Sequence, residues 1–466
     1  MVTASFRRGC AALAFGCLLL GAGESAANGR FPTAQHVVVG PGRESSVVAL
    51  RTTFGIVLSR DGGRTFAWLC EEGMFLPFVP SNNFDAPLEV ASSGSVVFGY
   101  EDGIRHTADA CKADDAPRTQ GHVFADLTAD PTGAVLYAIE GAQGNANAVY
   151  RGDGATFTFA RQGAGLYNVL FDTIEVAPSN PARLYATGRD TRSFAPALYR
   201  SDDSGATLTP VAADAGAVDS LWVSGVDPTD ADTVYARAAM GLGTELRRSR
   251  DGGRTFQRVA STRDPMLGFA ISDDGRTLWV GSIDAGLLRS DDGGESFRQV
   301  NTLPVLCLRQ HAGVLWACSD WISTPFALGR SRDLGATFEA VLNFSNPAQF
   351  TGPPVCDRRS EGADVCVERW PMLRRTFESP EPDAGLSPPD AGRRDAAVDA
   401  ARDAARDAAF DAPRDGAAEA PAAPGGACDC ATVPARSPRG PALALCAALA
   451  AFASRRRVRN RVASVI

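Results

Sequence analysis

The octapeptide SRDGGRTF stands at residues 59–66 and again, letter for letter, at 249–256. Lining up the chain on it yields SDDSGATL at 201, SDDGGESF at 290 and SRDLGATF at 331. Two worn copies fill the interval: TADACKAD at 107, with Thr107 and Asp109 in register, and RGDGATF at 151, one residue short but keeping Asp153, Thr156 and Phe157. The aspartates Asp61, Asp109, Asp153, Asp203, Asp251, Asp292 and Asp333 follow one another at steps of 48, 44, 50, 48, 41 and 41 residues. A period of that size suits one four-stranded propeller blade.

Upstream of each copy runs a short alternating strand: SVVALR, SVVFGY, AVLYAI, RLYATG, TVYARA, TLWVGS and VLWACS. In several units an earlier strand leads into it through a turn rich in Pro, Asp, Asn and Gly, as in TADPTG, VAPSNP and VDPTDAD. Each unit therefore reads strand A, turn, strand B, loop, strand C, octapeptide, strand D. Tight turns need residues that tolerate positive φ, which Gly63, Gly205, Gly253, Gly294 and Gly335 supply cheaply. The Asp carboxylates are expected to accept turn N–H groups. The hydroxyls of Ser59, Ser201, Ser249, Ser290 and Ser331, with Thr65 and Thr255, fasten the strand ends. Phe66, Phe256, Phe297 and Phe338 then offer apolar plugs for the gaps between sheets. The expectation is an all-β, seven-bladed propeller over 28–345, or six-bladed if a worn copy fails to form its own sheet.

The octapeptide resembles the Asp-box (BNR) repeat, Ser-x-Asp-x-Gly-x-Thr-Trp/Phe, of sialidases, sortilin-type receptors and xyloglucan hydrolases. That resemblance covers roughly 31–345 and implies a propeller whose boxes are structural and lie away from any binding centre. It does not imply an enzyme. Sialidases use an arginine triad and a late Tyr nucleophile, whereas only GRFPTAQ precedes the first box here and no Tyr follows Tyr235. The xyloglucan type uses a cleft between two propellers, which one array does not provide.

The turns holding the octapeptides share one face with the A–B turns, so any site belongs on the opposite face, formed by the B–C and D–A loops. There Phe75, Phe78, Tyr167, Phe194 and Trp321, beside Arg189, Arg192, Arg237 and Arg263, are candidates for a glycan or peptide platform. His36, His106, His122 and His311 are scattered, without a nucleophile elbow, a metal-ligand spacing, a phosphate loop or a dinucleotide fingerprint, and read as structural. No catalytic residue, metal or cofactor is expected. A net charge of -8 speaks against a nucleic-acid partner.

Residues 1–27 have the layout of a secretory signal: Arg7 and Arg8, an apolar run from Ala11 to Leu20, and small residues ending at Ala27. Export into an oxidising compartment favours disulfides among Cys70, Cys111, Cys307, Cys318, Cys356 and Cys366, for which 15 connectivities exist. Local pairing is expected: Cys70 with Cys111, Cys307 with Cys318, and Cys356 with Cys366 inside a bridged extension at 346–377. Residues 378–427 collapse to Ala, Asp, Pro, Gly and Arg and read as an extended tether. In 428–466, Cys428 and Cys430 precede the short apolar run 441–453 and the cluster SRRRVRNR. This tail resembles the MYXO-CTERM sorting signal of myxobacterial exported proteins. That resemblance implies processing near the cysteines and retention at the cell surface. The function expected is non-catalytic binding of a protein or glycan partner by an envelope-tethered propeller, with an atypical glycoside hydrolase or a purely architectural surface protein as alternatives.

Overall fold

The computed structural model describes residues 31–75, 85–211, 218–356 and 361–378. The segments expected as a secretory signal at 1–27, a tether at 378–427, apart from its first residue, and a sorting tail at 428–466 lie outside them.

Seven antiparallel sheets form a seven-bladed β-propeller, at 34–70, 88–115, 124–166, 169–211, 220–262, 266–301 and 307–342. Each blade meanders A-B-C-D. The A strands of successive blades touch around the axis, and blade 7 meets blade 1. Both worn copies build complete sheets. In blade 2 strand D has shrunk to Asp114–Asp115.

The octapeptides make one corner, repeated. In blade 1 the Ser59 hydroxyl donates to Asp61 Oδ1 at 2.8 Å and accepts the Gly63 N–H at 2.9 Å. Asp61 also accepts the Arg64 and Thr65 N–H groups and the Thr65 hydroxyl at 2.9, 3.0 and 2.7 Å. Ser201–Asp203, Ser249–Asp251, Ser290–Asp292 and Ser331–Asp333 repeat the Ser–Asp bond at 2.6–2.8 Å. The worn corners keep part of it: Thr107 Oγ1 accepts the Ala110 amide, Asp109 that of Cys111, and Asp153 those of Ala155 and Thr156.

The corner also sets the spacing of blades. The fifth residue has positive φ and lies against the preceding sheet. A Cβ on Gly63 would meet Val341 of blade 7 at 2.7 Å, one on Gly253 would meet Leu198 of blade 4 at 2.4 Å, and one on Gly335 would meet Leu287 of blade 6 at 2.5 Å. The closing Phe256, Phe297 and Phe338 pack into clusters shared by their own blade and the one before. Strand B aromatics tie blades 3, 4 and 6 to the blade that follows. Tyr137, Tyr185 and Trp279 donate to the carbonyls of Pro181, Ala231 and Leu334 at 2.9, 2.8 and 3.0 Å.

After blade 7 the chain returns to where the ring began. Phe350–Gly352 adds a parallel fifth strand to the outer edge of blade 1, beside Phe66–Cys70. Helix α1 (Glu71–Phe75) follows blade 1, and helix α2 (Glu361–Glu378) packs against both that edge and α1. Two expected disulfides are corrected. Cys70 pairs with Cys366 and Cys111 with Cys356, across 296 and 245 residues, while Cys307 pairs with Cys318 as expected. The reason is closure: a ring makes its first and last segments neighbours, so cysteines distant in sequence meet there. Around this seam Phe54 of blade 1, Phe344, Phe350, Trp370 and Phe377 pack in tilted and edge-on contacts with centroids 5.1–6.5 Å apart.

Candidate functional site

The opposite face, built from B–C and D–A loops, takes the predicted residues in different ways. Phe75 and Trp321 are corrected: they are 1% and 4% exposed and belong to the core. Phe75, in α1, stacks on Tyr100. Trp321 donates to the Pro32 carbonyl at 2.8 Å and packs on Phe344 and Phe377 beneath the closing segment. An extension following the last blade covers what would otherwise be rim aromatics. Phe78 lies outside the described residues.

Tyr167 and Phe194 are 70% and 68% exposed. The stretch around Tyr167, expected as a loop, is two strands, Phe159–Leu166 and Val169–Ala177, with Tyr167 and Asn168 as a bare tip. The Thr191 N–H donates to the Asn168 carbonyl at 2.9 Å, so the loops bearing Tyr167 and Phe194 abut. Arg192 and Arg263 are exposed. Arg189 is held by Asp172 at 2.7 Å. Arg237 departs from the rim: its Nε donates to Ser224 Oγ at 3.1 Å and its Nη1 to the Met266 carbonyl at 2.6 Å, which carries the guanidinium toward the axis.

Sequence reading missed two features of this side. The first is the set of apolar tips. Met240 and Leu242 in blade 5, Ile283 in blade 6 and Ile322 in blade 7 are 42–49% exposed and, like Phe194 in blade 4, sit at the ends of B–C loops. On the corner face of the described blades only Leu334 is a comparably exposed large apolar residue. Isolated aliphatics within polar loops give no periodic signal; only the ring lines them up.

The second is a charged channel. Register places Glu89, Glu175 and Arg309 at one level, each one residue before the strand A position level with the corner's first residue. His36, its strand partner Arg51, and Arg237 stand two residues nearer the loop face, a rise of about 6–7 Å. Asp126 accepts the Ile174 N–H at 2.9 Å across blades 3 and 4. These groups lie close enough to shift one another's protonation. Burial first, then repulsion from Asp126 and Glu89, pushes Glu175 up to about 8, against the pull of Arg309 on blade 7. Burial pushes Asp126 up to about 7, with Glu89 adding to it, and raises Glu89 itself. Burial, then Arg51, Arg309 and Arg237, lowers His36 to about 3 and keeps it neutral. The sequence signal was present, since PLEV, FADLT, TIEVA and LCLRQH each carry a charge inside an apolar strand A.

A smaller polar group lies on the same face of blade 3. Nearly buried Glu140 contacts His122 Nδ1 at 2.6 Å and accepts the Ala148 N–H at 2.9 Å; the Tyr150 hydroxyl is 3.2 Å from the same ring nitrogen. His122 is thus clamped at a strand end. His311 bridges blades 7 and 1 through the Gly42 carbonyl at 2.9 Å. Among the described residues no three His, Cys, Asp or Glu side chains converge as metal ligands would, and no helix is long and apolar enough to cross a membrane.

No family model and no curated protein sequence matches the chain. Solved structures share the fold at a distance. The Niastella koreensis GH74 enzyme is 15% identical over 66% of this chain, with a TM-score of 0.34, and the chain covers 62% of that enzyme's length. Kuenenia stuttgartiensis hydrazine synthase is 10% identical over 66% of this chain and 98% of its own, with a TM-score of 0.46. A chain of the nidogen/laminin complex is 11% identical over 52% of this chain and 91% of its own, with a TM-score of 0.38.

Proposed function

We propose that the chain is an exported propeller, held at the cell envelope through its tail, that binds a protein partner on the loop face of blades 3 to 7 without chemistry of its own. One observation carries this reading: the exposed large apolar side chains of the blades gather on that face, one or two to a tip, on successive blades. Contiguous exposed apolar surface marks interaction sites, whereas single scattered residues do not. Four of these residues are aliphatic, which suits packing against protein side chains better than stacking on sugar rings. Export and tethering rest on the signal-like 1–27, the Ala/Asp/Pro-rich 378–427 and the sorting-like 428–466.

The test is capture from a membrane and envelope extract of the producing cell, comparing the wild-type chain with Phe194→Ser, Leu242→Ser, Ile283→Ser and Ile322→Ser combined. Loss of a specific protein band in the variant, with its thermal midpoint unchanged, is expected; equal capture by both overturns the reading.

A second reading, glycoside hydrolysis, is favoured by carboxyls of raised pKa beside arginines in the channel, as a general acid requires. It predicts sugar release from glycosides that Asp126→Asn abolishes.

A further inference from the structure

One turn is built twice, on opposite faces of the ring. In blade 3 it is DGATF at 153–157, between strands C and D at the worn corner; in blade 4 it is DTRSF at 190–194, between strands B and C on the loop face. Asp153 Oδ1 accepts the Ala155 and Thr156 amides and the Thr156 hydroxyl at 3.0, 2.8 and 3.0 Å. Asp190 Oδ1 accepts the Arg192 and Ser193 amides and the Ser193 hydroxyl at the same 3.0, 2.8 and 3.0 Å. The N–H groups of Phe157 and Phe194 donate to the Asp153 and Asp190 carbonyls, both at 2.8 Å, and the two phenylalanines have φ of 55° and 56°. That left-handed region suits glycine and strains a bulky residue.

In blade 3 the strain is offset. Phe157 is 9% exposed, lies on His106 of blade 2 with centroids 3.8 Å apart and planes at 17°, and joins an apolar cluster shared by blades 2 and 3. In blade 4 nothing among the described residues does the same, since Phe194 is 68% exposed and no ring packs on it. Its turn is nonetheless fixed in place, because the Thr191 N–H donates to the Asn168 carbonyl of the neighbouring tip at 2.9 Å.

We propose that Phe194 is the anchor of the loop face and inserts into an apolar slot of the partner protein floored by a flat ring, as Phe157 inserts against His106. This rests on the loop face being the binding surface, and it goes further by naming the residue that dominates and the chemistry of its receptor. Binding energy concentrates in a few large side chains seated in desolvated pockets. A ring already locked at the tip of a hydrogen-bonded turn loses little freedom on docking. A flat floor adds ring-on-ring contact to the area buried, which an aliphatic side chain at the same place does not gain.

Surface plasmon resonance of the full chain over immobilised envelope vesicles of the producing cell tests this. Phe194→Gly should weaken binding by about tenfold or more, and Phe194→Leu, apolar but not flat, by about threefold or more. Phe194→Gly should melt at or above the wild-type temperature because it relieves the turn, whereas Phe157→Gly should melt lower because its ring is buried. With p-benzoylphenylalanine at position 194, irradiation should join the chain to a protein beside a Phe, Tyr, Trp or His, as mass spectrometry of the crosslinked peptide would show. Smaller losses than these, a lowered melting temperature for Phe194→Gly, or attachment to a glycan or lipid overturns the proposal. The combined variant Phe194→Ser, Leu242→Ser, Ile283→Ser and Ile322→Ser separates the two levels. If it loses binding while Phe194→Gly keeps it, the loop face stands and the anchor falls; if it binds as wild type does, the loop-face reading itself falls.

Discussion

Gly62 and Gly63 are neighbours in one corner and both have positive φ, 74° and 88°, yet they do different work. Nothing lies within 4 Å of a Cβ built on Gly62, whereas one on Gly63 runs into Val341 of the neighbouring blade. Gly62→Ala should therefore cost only the left-handed backbone term, about 1–2 kcal/mol. Gly63→Ala adds overpacking and should cost about 2–4 kcal/mol in a urea melt. The corner aspartates carry a pH signature. Hydrogen bonds from Thr255 and Ser249 hold Asp251 at about 2, and those from Thr65 and Ser59, opposing some burial, hold Asp61 at about 2. Their folded values lie below the unfolded one, so their contribution is complete above about pH 4 and is lost as pH falls toward 2. Asp251→Asn should flatten that acid limb, which thermal melts between pH 2 and pH 5 would measure.

At the scale of elements, what could be read in the sequence was what is local. The spacing of the corners, the strand B patterns and the turn glycines belong to single units, and the sheets follow them, including the two worn copies. Phe75 and Trp321 were misplaced because their burial depends on α1, α2 and the returning edge strand, none of which the repeat announces. Glu89, Asp126 and Glu175 were passed over because a charge in a short strand reads as surface until the strand is known to be innermost. The loop tips behave alike: Leu242 or Ile283 alone is unremarkable, and its meaning comes from its counterparts on the next blades. Removing one tip should not change the fold. Ile283→Ser is expected to move stability by less than about 0.5 kcal/mol, which a denaturant titration checks, while weakening partner capture.

For the whole molecule, closure is the costly step, since a chain that rounds a ring must bring its ends together. The bonds Cys70–Cys366 and Cys111–Cys356 fix that closure, whereas Cys307–Cys318 spans 11 residues inside one blade. In the chain-entropy account the longer loops stabilise more. The double variant Cys70→Ser/Cys366→Ser should lose about 2 kcal/mol more than Cys307→Ser/Cys318→Ser, as read from denaturant midpoints. The channel imposes an opposite pH trend on the same molecule. Asp126 and Glu175 have folded values above the unfolded ones, so the folded state binds more protons and stability declines as pH rises from about 4 toward 8. Neutral His36 opposes this below about 6.5 with a single group. Asp126→Asn should reduce the decline, again by thermal melts.

Hydrogen exchange on the full chain, with and without the envelope fraction that it captures, tests the assignment of the binding face most directly. New protection should appear in the loops at 190–196, 240–243, 283–286 and 319–327 and leave the corners at 59–66, 201–207 and 249–256 unchanged. Protection of the corners instead, or of neither face, would contradict the account.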